Sequence, residues 1–418
     1  MNILIKSAKI IDSQSNFDQK TQDILIENGK ISKIASSIKN KKNYKEISQD
    51  NLHISVGWFD TSVSFGEPGY EERETIENGL KTAAKSGFTA VAINPNTYPL
   101  IDNKSAVEFL INKAKGNVVS LHPIANLTQQ SKGKELAELY DMSNSGAIAF
   151  GDYNTAIENA NLMKIALLYA QNFNGLVLSF PQDNSLSNQG SMNEGIQSTR
   201  LGLKGNPSIA EELQIARDLF LLEYTGGKLH IPTITTAKSV KLIAEAKKKG
   251  LDVTCSVSAL HLFLTDSELD DFNTNFKVSP PLRTNIDLIA LRRGIIKGTI
   301  DMITSDHNPI DIEHKKVEFE NAQDGTIGLE SLFGAINSIL PLENVIACIT
   351  NQPRKRFNIE NPTIAVGETA NLTLFDPTVE FEFKSEHIYS TSKNSAFLGK
   401  KLLGKIYGVF ANNKLRIN

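Results

Sequence analysis

The side chains of this chain best suited to acid–base or metal chemistry stand in or just after short β-branched runs. Asp306 lies in Ser305-Asp306-His307-Asn308-Pro309, Asp152 closes the run GAIAFGD, His122 falls inside VVSLHPIA, and Asn96 belongs to Asn94-Pro95-Asn96-Thr97. Carboxylates and imidazoles brought to one point could hold a divalent metal and lower the pKa of its bound water, which is hydrolytic chemistry. A catalytic zinc normally takes about three protein ligands, and His122, Asp152 and Asp306 are the one set that could be improvised. After the run HISVGWFD come Ser62 and Ser64, whose neutral hydroxyls are poor zinc ligands beside imidazole. A lone histidine at a strand end more often packs or hydrogen-bonds, and His307 reads as structural on the same ground. Asn96 could hydrogen-bond a substrate carboxylate or cap the turn after its strand.

The elements that must position these groups alternate. Eight β-like runs (HISVGWFD, FTAVAINP, VVSLHPIA, GAIAFGD, GLVLSFP, KLHIPTI, LDVTCSVS and DMITSDH) are separated by helical patterns such as ETIENGLKTAAKSG and SIAEELQIARDLFLLEYTGG, closed by glycines suited to a left-handed cap. Eight βα units predict an α/β fold, a closed (β/α)8 TIM barrel, over residues 53–359. An open doubly wound sheet is the competing reading, but no Gly-rich phosphate fingerprint follows the first strand. Residues 1–52 and 360–418 show short strands and turns, with Asn28-Gly29 favouring a tight hairpin, and are expected to pair into one composite β-sandwich domain.

The chain has 418 residues, 40% hydrophobic and 22% charged, with a net charge of -3. This composition fits a globular protein with a large core and offers no electrostatic case for nucleic acid or a membrane surface. MNILIKSAKIIDSQ runs straight into a strand pattern and does not read as a signal peptide, and no apolar run is long enough for a span. Cys255 and Cys348 each lie in an apolar stretch and read as buried free thiols of a cytoplasmic protein.

The segment Gly57 to Asp102, GWFDTSVSFGEPGYEERETIENGLKTAAKSGFTAVAINPNTYPLID, closely resembles the opening barrel segment of the dihydroorotases, cyclic amide hydrolases of the amidohydrolase superfamily. In that family the first strand ends in Asp-x-His-x-His followed by Leu-Arg-Glu-Pro-Gly. The resemblance implies zinc held at the strand ends, and it places the ligands on positions that here carry other residues. The two histidines are Ser62 and Ser64. The acid after the fourth strand is Tyr153, in Phe150-Gly151-Asp152-Tyr153-Asn154; the histidine after the fifth is Phe180; the histidine after the sixth is Thr233. Only the acid after the eighth, Asp306, is kept, and the histidine that should follow its motif is Ile310. The arginine expected to clamp the substrate carboxylate is Gly66, and the asparagine expected before Pro280-Pro281-Leu282-Arg283 is Ser279. Glu67-Pro68-Gly69 survives and reads as turn scaffolding.

The resemblance therefore implies a dihydroorotase-like protein of pyrimidine biosynthesis, a pseudoenzyme with no metal cofactor, retaining Asp306 as a remnant acid and acting as a structural or regulatory partner. Its candidate partner, by analogy with bacterial non-catalytic dihydroorotase-like subunits, is aspartate carbamoyltransferase; a homodimer is also implied. The alternative is an active cyclic amide hydrolase with an atypical or metal-free site interconverting dihydroorotate and carbamoyl aspartate. A third reading is a sensor that binds a pyrimidine intermediate through Asn96. Tyr153 and Phe180 are bulky for these positions and should partly fill the pocket.

Overall fold

The computed structural model describes residues 1–418. The N-terminal segment lays down β1 (Ile3–Ile11), β2 (Thr21–Glu27), β3 (Lys30–Ala35), β4 (Lys45–Ile47) and β5 (His53–Val56). The C-terminal segment adds β16 (Leu372–Glu382), β17 (Lys401–Ala411) and β18 (Lys414–Ile417) to the same sheet, in the order β18-β17-β16-β5-β1-β2-β3 with β4 on β1. The two ends of the chain meet where β16 runs antiparallel to β5, Leu372 opposite Val56. Alternating isoleucines Ile3, Ile5, Ile24, Ile26 and Ile54 form a separate apolar core under this sheet, as expected of strands with one buried face.

Between these ends lies a ring of eight parallel strands: β6 (Trp58–Val63), β7 (Phe88–Ile93), β8 (Ser120–Ala125), β9 (Ala149–Phe150), β10 (Val177–Leu178), β13 (Leu229–Ile231), β14 (Val253–Ser258) and β15 (Met302–Thr304). A two-stranded ribbon, β11 (Met192–Asn193) with β12 (Gly205–Asn206), stands on the loop after β10. The ring closes between β15 and β6. Val63 bridges His307, the Ser64 amide donates to the His307 carbonyl at 2.7 Å, and the buried carboxylate of Asp60 accepts from the Thr304 hydroxyl and from the amides of Ser305 (3.0 Å) and Ser62 (3.1 Å). The architecture is the TIM barrel with a composite terminal sheet.

The run HISVGWFD is two strands rather than one. His53–Val56 belongs to the terminal sheet and Trp58–Val63 to the barrel, so the barrel begins beyond position 53. Gly57 makes the break: a Cβ there would lie 2.1 Å from both Asn371 Oδ1 and Thr89 Oγ1. Only glycine lets the two sheets approach so closely.

The inside of the ring is filled by side chains. Phe59, Ala90, Ala92, Ile124, Ala149, Leu178, Met302 and Phe357 form one buried cluster, leaving no pore. A second, larger core lies between the strands and the outer helices. Cys255 and Cys348 are free and buried. No helix is long and apolar enough to cross a membrane.

Candidate functional site

The C-terminal ends of the barrel strands converge on one small cavity lined by Thr61, Ser62, Asn94, Tyr153, Phe180, His230, Thr233, Ser256, Ser279 and Asp306, among others. Every position at which the sequence pattern had placed a lost ligand thus arrives at this mouth or, for Ser64, one hydrogen bond behind it. The cavity volume is about 20 Å³, room for about one water molecule. Phe180 is 5% exposed and, with Tyr153, occupies space that a substrate would need; small-molecule sites generally run to about 300 Å³ or more.

The two serines are tied together by a residue that sequence reasoning missed. The Asn94 side-chain amide donates to Ser62 Oγ at 3.1 Å and to Ser64 Oγ at 3.2 Å. Ser62 Oγ in turn donates to Asp306 Oδ1 at 2.9 Å. The result is a continuous hydrogen-bonded network, Asp306–Ser62–Asn94–Ser64, beside which Tyr153 lines the cavity. Asn96, two residues on, does not line this cavity, and its Oδ1 is buried without a hydrogen-bond partner.

Burial pushes the Asp306 carboxyl up to about 7, helped by the nearby Asp60 carboxylate and opposed by the Ser62 hydrogen bond. The same desolvation, with the Asp306 charge beside it, pushes the Tyr153 phenol well above its ordinary range. Tyr153 is therefore neutral near neutral pH and Asp306 is protonated over part of its population there, where a metal ligand would have to be a carboxylate. Asp306, Tyr153 and Thr233 all have left-handed backbone, with φ of 50°, 55° and 51°. For a β-branched residue such as Thr233 that conformation is costly.

His122, Asp152 and Asp306 do not come together. His122 sits in the middle of β8, edge-on to Phe59 at 5.8 Å between ring centroids, and burial with the Arg354 guanidinium nearby pushes its pKa down to about 4. Asp152 accepts from the amides of Leu127 (2.9 Å) and Thr128 (3.1 Å) and from the Thr128 hydroxyl, so its carboxylate is spent on holding the loop after β8. His307 is structural: its Nδ1 accepts from the Gly328 amide at 3.2 Å at the start of the helix Leu329–Asn337. A second group missed in the sequence is His230, on the cavity floor, bonded to Thr254 Oγ1 (3.0 Å) and Ser256 Oγ (3.2 Å). Burial first, then the charges of Arg356 and Lys247, keep it neutral. Its inward phase on β13 was readable; its partners, on the next strand, were not.

Zinc fails the test of the donor set. No three His, Cys, Asp or Glu side chains gather anywhere in the chain so as to hold an ion, and at this mouth Asp306 and His230 are accompanied by hydroxyls and amides only. The substrate side has changed as well. A Cβ on Gly66 would fall 1.8 Å from the Tyr70 carbonyl oxygen, because the turn Gly66–Tyr70, closed by Tyr70 N–H donating to Gly66 O at 2.8 Å, folds over that position. An arginine cannot occupy it without rebuilding the turn. Glu67 anchors the same turn by accepting from the Ile76 amide (2.9 Å) and pairing with Lys113 (2.8 Å).

Comparison with known proteins decides the family. The chain is 40% identical over 412 residues, 97% of its own length and 96% of the relative's, to the dihydroorotase of Ruminiclostridium cellulolyticum. It belongs to the dihydroorotase family. The dihydroorotase of Syntrophus aciditrophicus is 39% identical over 413 residues, covering 97% of both chains, and the family model described as dihydro-orotase-like matches residues 53–239. Among solved structures, L-hydantoinase (dihydropyrimidinase) from Arthrobacter aurescens superposes with a TM-score of 0.87 over 99% of this chain and 95% of that one at 20% identity, and a D-hydantoinase with a TM-score of 0.84 over 100% and 95% at 21% identity. At such identity these two speak for the fold alone, the amidohydrolase-type barrel. The dihydroorotase-family reading of Gly57 to Asp102 is thereby extended to nearly the whole chain.

Proposed function

We propose that this member of the dihydroorotase family does not catalyse ring opening or closure of dihydroorotate and carbamoyl aspartate, binds no catalytic zinc, and serves pyrimidine biosynthesis in the cytoplasm as a structural or regulatory subunit. The observation that carries this reading is the network Asp306–Ser62–Asn94–Ser64, which with Tyr153 and Phe180 occupies the mouth of the barrel and leaves about 20 Å³. Aspartate carbamoyltransferase is the partner to test first, a choice that rests on family analogy. Mixing the two proteins at micromolar concentration and following assembly size tests it; no association removes that partner.

The second reading is an active cyclic amide hydrolase with an atypical or metal-free site. It is favoured by relatives, 36–40% identical over nearly the full chain, that bear the name dihydroorotase, and by a carboxyl, Asp306, held near 7, a value suited to proton transfer. The relatives' names support this reading more directly; the strand-end side chains support the first. Incubating purified protein with dihydroorotate and with carbamoyl aspartate, with and without added zinc, separates them: turnover above that of buffer in either direction establishes the second.

A further inference from the structure

A cleft of about 480 Å³ opens beside the filled mouth, between the loop that follows β10 and the segments 277–281 and 320–324. Ser279 is the one residue that lines both this cleft and the mouth cavity. The volume is that of a small-molecule site, about 300–1,000 Å³, but such sites are mostly apolar. Here the lining is almost wholly polar, so the ligand it suits is polar as well.

Both walls are held in place. Arg283, buried, donates to Asn193 Oδ1 at 3.0 Å and to the Asn206 carbonyl at 2.6 Å, fastening the ribbon β11–β12 to the barrel. On the other side the Lys315 ammonium donates to the carbonyls of Thr274 and Gln323, both at 2.8 Å, and ties together the segments that carry Lys277 and Asp324. A site so fixed loses little to ordering when a ligand arrives.

A relay of side-chain amides ends at the cleft. The Glu158 carboxylate accepts from Asn184 Nδ2 at 2.8 Å, Asn184 Oδ1 from Gln182 Nε2 at 3.0 Å, and Gln182 Oε1 from Asn206 Nδ2 at 3.1 Å. A carboxylate only accepts, so the relay orients every amide and leaves the Asn206 oxygen over. Asn206 is 5% exposed, and its Oδ1 and the Ser191 Oγ are buried in the wall with no partner, a rare state for buried polar atoms. The charged groups are unspent too. Lys277 Nζ uses one of its three N–H groups, on the Glu320 carbonyl at 2.8 Å. Lys204 is exposed and unpaired, and no hydrogen bond reaches the Asp324 carboxyl.

We propose that this cleft binds a small zwitterion of the α-amino acid class, its carboxylate taken by Lys277 and Lys204, its ammonium by Asp324, and a side-chain amide N–H directed at Asn206 Oδ1. Neither Lys204, Asn206 nor Asp324 lines the mouth cavity, so the inference stands whichever reading of the catalytic site holds.

Ligand-observed NMR titration of the full chain with L-asparagine and L-glutamine, and with acetate and methylamine as half-ligands, tests it. The expected result is saturable binding of one or both amino acids below roughly 10 mM, the weak limit for ligands of about ten non-hydrogen atoms. Acetate and methylamine should each bind about fivefold more weakly, the loss of one ion pair. Lys204→Glu and Asp324→Asn should each weaken amino-acid binding by about the same factor. Neither side chain makes a hydrogen bond, so both variants should fold, checked by circular dichroism. No saturable binding of either amino acid, acetate or methylamine binding as tightly as they do, or undiminished binding by either variant overturns the proposal.

Discussion

Replacing Asp306 by asparagine should make this protein more stable, and the gain should grow with pH. Asp306→Asn keeps the shape and an oxygen to accept from Ser62 at 2.9 Å, while removing a charge that burial disfavours. The carboxyl titrates near 7 in the folded chain against an ordinary 3.8. An acid with the higher pKa in the folded state binds more protons there, so stability falls as pH rises from about 4 to about 7 and is level above that. At 1.36 kcal/mol per pH unit the ceiling is about 4 kcal/mol; partial exposure of Asp306 to solvent reduces the expected penalty to about 1–3 kcal/mol. Urea unfolding of both proteins at pH 4, 5 and 8 measures it. The variant should exceed the wild type by about 1–3 kcal/mol at pH 8, by under half of that at pH 5, and by nearly nothing at pH 4. Other buried acids, Asp60 and Glu211 among them, are also raised, so the difference between the two proteins, not the slope of either, is the readout. A variant that is less stable at pH 8, or a difference that does not change with pH, would refute the claim that desolvation raises the Asp306 carboxyl to about 7.

Three further perturbations follow from single contacts. Asp60→Ala removes the carboxylate that takes two donors across the β15–β6 seam and one from its own strand and should cost about 3 kcal/mol in urea unfolding; a cost below about 1 kcal/mol would mean the barrel closes without it. Gly66→Ala places a Cβ where the Tyr70 carbonyl already stands and should cost at least about 2 kcal/mol; a neutral result would show the turn to be free to move and the lost arginine restorable. Tyr153→Ala should open the mouth, seen as new binding of small apolar probes by ligand-observed NMR, with none to the wild type.

The barrel was legible because its signal is local and repeated: eight β-branched runs, each followed by a helical period, leave few other folds. The split of HISVGWFD was not legible, since Gly57 is demanded by Asn371 and Thr89, far away in sequence. At the site, the loss of ligands could be read from pattern at Ser62, Ser64, Tyr153, Phe180 and Thr233. What replaced them could not. Pairing of β6 with β7 changes register between Asp60 and Val63, and such irregularities help decide which side chains face inward; Asn94, which the sequence did not single out, meets both serines. His122 looked available because its run ends near the mouth, yet its place in mid-strand sets it against Phe59 inside the ring. Hydrogen-bond partners on neighbouring strands are properties of the fold, not of the segment.

The central claim is that the strand ends of this barrel no longer form a metal centre. Titrating chelator-stripped protein with zinc in a calorimeter, with the metal content of the dialysed product read by mass spectrometry, tests that most directly. The account predicts no saturable high-affinity binding and no zinc retained after dialysis, with Ser62→Ala and Asp306→Asn variants indistinguishable from wild type. Retention of one zinc per chain, lost on Asp306→Asn, would contradict it.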